Sequence, residues 1–127
     1  MIHAFIHDLA LSDLPGEVVH AARRALLDTL GVGAAAARTE LSRIVRDHAA
    51  AECAAGEGAR PVPILFDARK ASASGAALAG GMTVDALDAH DGWRPAKGHA
   101  GANVIPAAFA LLDPKAAGAE LLASVVV

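Results

Sequence analysis

At 127 residues the chain is long enough to bury one core and too short for two ordinary domains. Hydrophobic residues make up 54%, but alanine supplies about half of them, aromatics are only 3% and tyrosine is missing, a balance that favours closely set helices. The formal net charge of −3, with acids and bases interspersed, leaves no basic stripe for releasing counterions from a phosphate backbone, so nucleic acid is not an expected partner. The single cysteine, Cys53, excludes an internal disulfide framework and a cysteine zinc cluster and reads as a small apolar packing residue.

From the amino end, MIHAFIHDLAL has no basic leader region, long apolar run or small-residue cleavage site, so neither a signal peptide nor a membrane span is expected, and a cytoplasmic location is the default expectation. The spacing of Ile2, Phe5, Ile6 and Leu9 predicts a short amphipathic helix, ended by Ser12 and Asp13. Pro15 suits a first helical position, and Val18, Ala22, Leu26 and Leu30 recur every four residues to give a second helix. Gly31 and Gly33 interrupt or tighten that run and allow a neighbouring helix to come close. Thr39 is the expected cap of a third helix that presents Leu41, Ile44, Val45 and His48 on one side and ends near Gly56.

PVPILFD at 61–67 is the one strand candidate, with residues 70–73 offering a minimal hairpin partner. Ser72 or Ser74 then caps a helix through about Ala89, followed by a loop from His90 to Ala102. Asn103 is the expected cap of the next helix, which places Pro106 in a first turn that has no amide partner to lose. Asp113 and Pro114 end it, and a last helix starts near Ala119 and is still running at Val127. An uncapped apolar end of that kind reads as a cut through a longer sequence. The fold class is therefore all-α, with at most one short β-hairpin near 61–73.

The chemistry-bearing residues concentrate in ALDAHDGWRPAKGHAG at 86–101 and just before it. Asp85 and Asp88 stand three apart, so a helix reaching that far would place both carboxylates on one face, with Asp91 beyond its end. Crowded carboxylates, at a helix end whose dipole opposes them, are a route to a group that exchanges protons near neutral pH. His99, between Gly98 and Gly101, is of the residue type best suited to proton transfer at neutral pH. Arg94, Lys97 and the amino end of the helix that follows could converge on a substrate carboxylate. Trp93 reads as a buried anchor of the loop. Asp85, Asp88, His90, Asp91 and His99 include enough donors for a divalent ion, yet their spacing matches no standard site, and no metal is expected. His3 and His7 read as surface histidines.

Four segments, DLPGEVVHAARRALLDTLGVG at 13–33, PVPILFD at 61–67, SGAALAGGMTVDALDAHD at 74–91 and GHAGANVIPAAFALLD at 98–113, in this order and spacing, resemble the MmgE/PrpD family across essentially the whole chain. The resemblance implies the N-terminal portion of a large helical domain, with a smaller α+β domain and a C-terminal helical part lying outside residues 1–127. It also implies proton chemistry beside substrate carboxylates with no cofactor, as in 2-methylcitrate dehydratases, cis-aconitate decarboxylases and iminodisuccinate epimerases. Asp88 matches the first acidic position of the family's aspartate motif, Asp91 a later one, and His99 the active-site histidine. These three are the expected catalytic residues; Arg94, Lys97 and His90 are the expected substrate contacts.

The segment also departs from the family pattern. His90 stands where an aspartate is frequent, Asp85 where a histidine is frequent and Gly92 where a threonine is frequent, and one extra residue separates Asp91 from His99. The expected partner is a small di- or tricarboxylate, together with a second copy of the chain or the remainder of the enzyme, and the isolated chain is expected to be nearly inactive. The alternative is a non-catalytic helical interaction module or one subunit of a split enzyme.

Overall fold

A computed structural model describes residues 2–127. Among them are six α-helices, α1 (Ile2–Asp8), α2 (Gly16–Ala36), α3 (Glu40–Glu52), α4 (Ala73–Asp85), α5 (Ala100–Leu111) and α6 (Gly118–Val126). Short 3-10 turns occur at Leu11–Asp13 and Arg94–Ala96. The described β-structure is a hairpin of β1 (Val62–Pro63) and β2 (Lys70–Ala71), antiparallel with Val62 opposite Ala71 and Pro63 opposite Lys70. The chain is thus mainly helical with one small hairpin, as its apolar spacing predicts. PVPILFD extends no further as a strand because it turns: Phe66 takes a left-handed φ of 60° and the Asp67 amide donates to the Ile64 carbonyl at 3.1 Å.

Side-chain caps start two of the helices. Thr39 Oγ1 accepts from the Ser42 amide at the head of α3, and Ser72 Oγ accepts from the Gly75 amide at the head of α4, each satisfying one donor without an intrahelical partner. Pro15 sits one residue before its expected position, as the extended residue preceding α2. α3 stops at Glu52, and its buried side is Ser42, Val45 and Ala49. Leu41 and Ile44, expected inward, are 39% and 50% exposed, because small side chains are what the neighbouring elements leave room for.

α4 packs most extensively on α5 and also meets α3 and α2. Its Ala76 and Ala79 join Val45, Ala49, Val62, Ile64, Ala71 and Ala110 in one buried cluster, made mostly of alanine and valine. α5 begins at Ala100, four residues earlier than the Asn103 cap predicts, so Pro106 lies inside the helix. A proline there cannot donate to the carbonyl four residues back, that of Ala102. That oxygen instead lies against α4, where a Cβ on Gly81 would come within 2.9 Å of it. Glycine at 81 and proline at 106 are thus two halves of one close helix contact, and this contact sets α5 against the end of α4.

α2 buries Ala22, Thr29, Gly33 and Ala36, a stripe shifted from the expected leucines, which are half-buried. The face expected of α1 is uncovered, with Ile2, Phe5 and Ile6 at 70%, 49% and 44% exposure. No helix among the described residues is long and apolar enough to cross a membrane.

Candidate active site

The site is built where α4 ends. The helix closes at Asp85, not near Ala89, and the Asp88 amide donates to the Asp85 carbonyl at 2.9 Å as the chain turns back. Asp88 takes a left-handed φ of 47°, a conformation that aspartate tolerates better than most residues. The following loop is pinched by the Trp93 amide donating to the Gly98 carbonyl at 3.1 Å, with Lys97 left-handed at φ 49°. Together these turns return His99 to the end of α4.

The three carboxylates do not share one face, because each has its own partner. Asp85 Oδ1 lies 3.1 Å from His90 Nε2. Asp91 turns its carboxylate to the amino end of α5, accepting from the Gly101 amide at 3.1 and 3.3 Å, where a negative group satisfies a free donor and complements the helix dipole. Gly101 is required there, since a Cβ would collide with Asp91 Oδ1 and reach within 2.7 Å of Thr29 Oγ1. Asp88 Oδ1 faces His99 Nε2 at 3.7 Å. In place of one face of carboxylates, each acid thus has a partner of its own.

His99 is anchored through Nδ1, 2.6 Å from the Asp91 carbonyl oxygen. A carbonyl only accepts, so Nδ1 carries the hydrogen, and in the neutral ring Nε2 keeps the lone pair. Beneath it lies His90, whose side chain is fully buried. The two imidazoles stand nearly perpendicular, with centroids 4.7 Å apart and an interplanar angle of 68°. His90, expected as a substrate contact, is thus closed off from solvent by the turn at Asp88 and by His99.

His99 stands between two clefts. One, of about 470 Å³, is lined by Leu78, Gly81, Met82, Asp85, His99 and Asn103, among others. The other, of about 380 Å³, is lined by Gly92, Trp93, Arg94, Lys97, Gly98 and His99. Arg94 and Lys97 are exposed and line the same cleft as His99. Trp93 is no buried anchor: it is 68% exposed, and the loop is held instead by its own backbone pairing with Gly98. Asn103, expected as a cap, donates its side-chain amide to the His99 carbonyl at 3.2 Å.

Asp88, His90 and His99 each offer a ligand atom within 4.8 Å of the others. The anchored Nδ1 of His99 is the outer hydrogen bond that a metal-bound histidine requires. His90 fits less well, since its Nε2 is engaged by Asp85 and its buried Nδ1 lies 3.7 Å from Asp91 Oδ1. Thr29 was not singled out from sequence, yet its buried hydroxyl, without a hydrogen-bond partner, is set by the tight Gly101 approach close to Asp91. The run LLDTLG gives a hint, as a lone hydroxyl on an otherwise apolar helix face.

The assembly is a glycine-tight set of helices that holds an anchored histidine near an aspartate at the end of α4, beside exposed cations. The chain matches the MmgE/PrpD N-terminal domain over residues 1–127 and belongs to that family. No curated protein matches it in sequence.

Proposed function

We propose that this domain forms the histidine-bearing wall of a cytoplasmic active site that moves a proton beside a carboxylate of a small di- or tricarboxylic acid. The reaction would be that of a lyase or epimerase needing no redox cofactor. The observation that carries this reading is the asymmetry of His99: Nδ1 is tied to the Asp91 carbonyl at 2.6 Å, while Nε2 faces Asp88 at 3.7 Å. A ring so held takes a proton at Nε2 from an acidic carbon, and the imidazolium that results faces the Asp88 carboxylate. Arg94 and Lys97 bind a spectator carboxylate of the substrate. Asp91 acts by position, its carbonyl on His99 and its carboxylate on α5.

Apolar side chains left exposed on several helices, Leu27 at 74% and Leu111 at 73% among them, favour a further surface closing over the domain, either a second copy or the rest of the catalytic polypeptide. The same side chains favour the second reading, a non-catalytic module that docks other helices. Deuterium incorporation by the complete catalytic assembly, offered a panel of di- and tricarboxylates in heavy water, separates the two. Exchange at the carbon beside a carboxylate, lost in His99→Gln and insensitive to chelators, is the expected result. Exchange undiminished in His99→Gln removes the catalytic assignment, abolition by chelators moves the chemistry to a metal, and no exchange with any panel member favours the docking module.

A further inference from the structure

The Asp85–His90 contact is unlike the other polar contacts of the site. It joins the last residue of α4 to a ring with no exposed side-chain surface, across the turn that Asp88 makes. An ionised carboxylate only accepts, so Nε2 of His90 carries a hydrogen and the 3.1 Å contact fixes the ring's orientation. Its Nδ1 has no hydrogen-bond partner. A buried polar atom of that kind costs stability, and hydrophobic side chains would fill the volume with no such cost. The ring instead meets His99 nearly at right angles, at a centroid distance of 4.7 Å.

We propose that Asp85 and His90 are a positioning pair for His99: the aspartate locks the buried ring, and the ring braces the His99 imidazole so that Nε2 stays turned toward Asp88 and the cleft. Asp85 also lines the larger cleft, where its charge would repel a polycarboxylate. Engaging that carboxylate with a histidine donor offsets the repulsion.

The inference rests on the proposed role of His99, but its first test does not require activity. In this chain, nitrogen-15 NMR of the imidazoles is expected to find His99 in a single tautomer with hydrogen on Nδ1. Asp85→Ala and His90→Ala should each mix the tautomers or broaden the His99 signals through exchange, while Asp85→Asn, which still accepts from Nε2–H, should leave them as they are.

In the complete catalytic assembly, His90→Ala should lower kcat by about one to two orders of magnitude, as misplacement of a reacting group does, with KM nearly unchanged. Should His90→Ala fail to fold, Asp85→Ala carries the same test, because its side chain is 64% exposed and its removal leaves packing intact. Unchanged His99 signals in a folded Asp85→Ala or His90→Ala protein would overturn the proposal. Loss of activity in His99→Gln with unchanged signals in those variants would overturn it while sparing the catalytic reading. Altered signals together with full activity in His99→Gln would do the reverse.

Discussion

His99 and Asp88 are separated by 3.7 Å and share no hydrogen bond, so their interaction is one of charge, expressed only once the ring has taken a proton. His99→Gln and Asp88→Asn, measured in the complete catalytic assembly, are therefore each expected to lower turnover by about two to four orders of magnitude, as losing a general base or its charge partner does. Thermal denaturation should be nearly unaffected, since both side chains are substantially exposed. Arg94→Ala or Lys97→Ala should raise KM and leave kcat nearly unchanged, because a cation on a spectator carboxylate stabilises ground and transition states alike. Equal kinetics in all four variants would mark these residues as surface charges. Residue type points to His99, Asp88, Arg94 and Lys97, and the family resemblance adds weight to His99 and Asp88. Neither could assign partners, because the positive φ of Asp88 and Lys97 turns the chain in a way that spacing along a helix does not anticipate.

Among the secondary-structure elements, the hairpin is held to the helices by charge more than by its ladder. Arg46 of α3 donates to the carbonyls of Ser42 at 2.9 Å, Phe66 at 2.7 Å and Ala37 at 2.5 Å, tying the end of α2, the head of α3 and the hairpin turn to one guanidinium. Arg46→Ala strands those carbonyls and is expected to cost about 2–4 kcal/mol of unfolding free energy in urea titrations. Asp67 reinforces the same clamp. A hydrogen bond from the Arg69 side chain, with help from the Arg69 amide and the nearby Arg46 charge, holds its carboxyl down to about 2 from an ordinary 3.8.

A carboxyl lowered on folding contributes stability that is present above its ordinary value and lost as pH falls through the folded one. The window here runs from about pH 4 down to about pH 2. Glu40 and Asp47 are lowered too, by Arg43 and Arg69 respectively, but they are exposed, and salt screens them. Urea midpoints taken across that window at high salt should fall for the wild type and flatten in Asp67→Asn; parallel slopes would rule Asp67 out as the source. None of this clamp was legible in the sequence. Arg46 lies on a helix whose pattern suggests a solvated charge, and its three acceptors come from segments up to twenty residues away.

For the whole molecule, periodicity located every helix, because an alanine-rich chain leaves few alternatives, but it misjudged which faces are inside. In α3 the pattern points to Leu41, Ile44, Val45 and His48; Val45 is buried, whereas the other three are exposed and Ser42 and Ala49 complete the buried side. In α2 it points to Val18, Ala22, Leu26 and Leu30; Ala22 is buried, whereas the other three are half-buried and Thr29, Gly33 and Ala36 take the inside. The cause is similar in both places, a close approach to α4 that leaves room only for small residues: a Cβ on Gly33 of α2 would come within 3.1 Å of Val84, and one on Gly75 of α4 would collide with Cys53 at the end of α3. Larger apolar side chains are displaced outward, leaving Ile2, Leu27, Leu111 and Ile44 at 50–74% exposure.

These residues lie on α1, α2, α5 and α3, so covering one face does not cover the rest. Burying a large aliphatic side chain is worth about 1.5–3 kcal/mol, and a handful of them suffices to drive association once the entropy of bringing two chains together is met. The chain on its own is therefore expected to sediment as species heavier than its 12.8 kDa monomer at micromolar concentration. Leu27→Lys and Leu111→Lys should shift the distribution toward monomer, each by a different amount because they lie on different helices. Association through the apolar surface should persist at high salt, whereas association through Arg43, Arg69 and their acidic neighbours would dissolve. A monodisperse monomer at every concentration, with no binding of an apolar dye, would mean that these side chains are tolerated singly on the surface and that nothing needs to cover them.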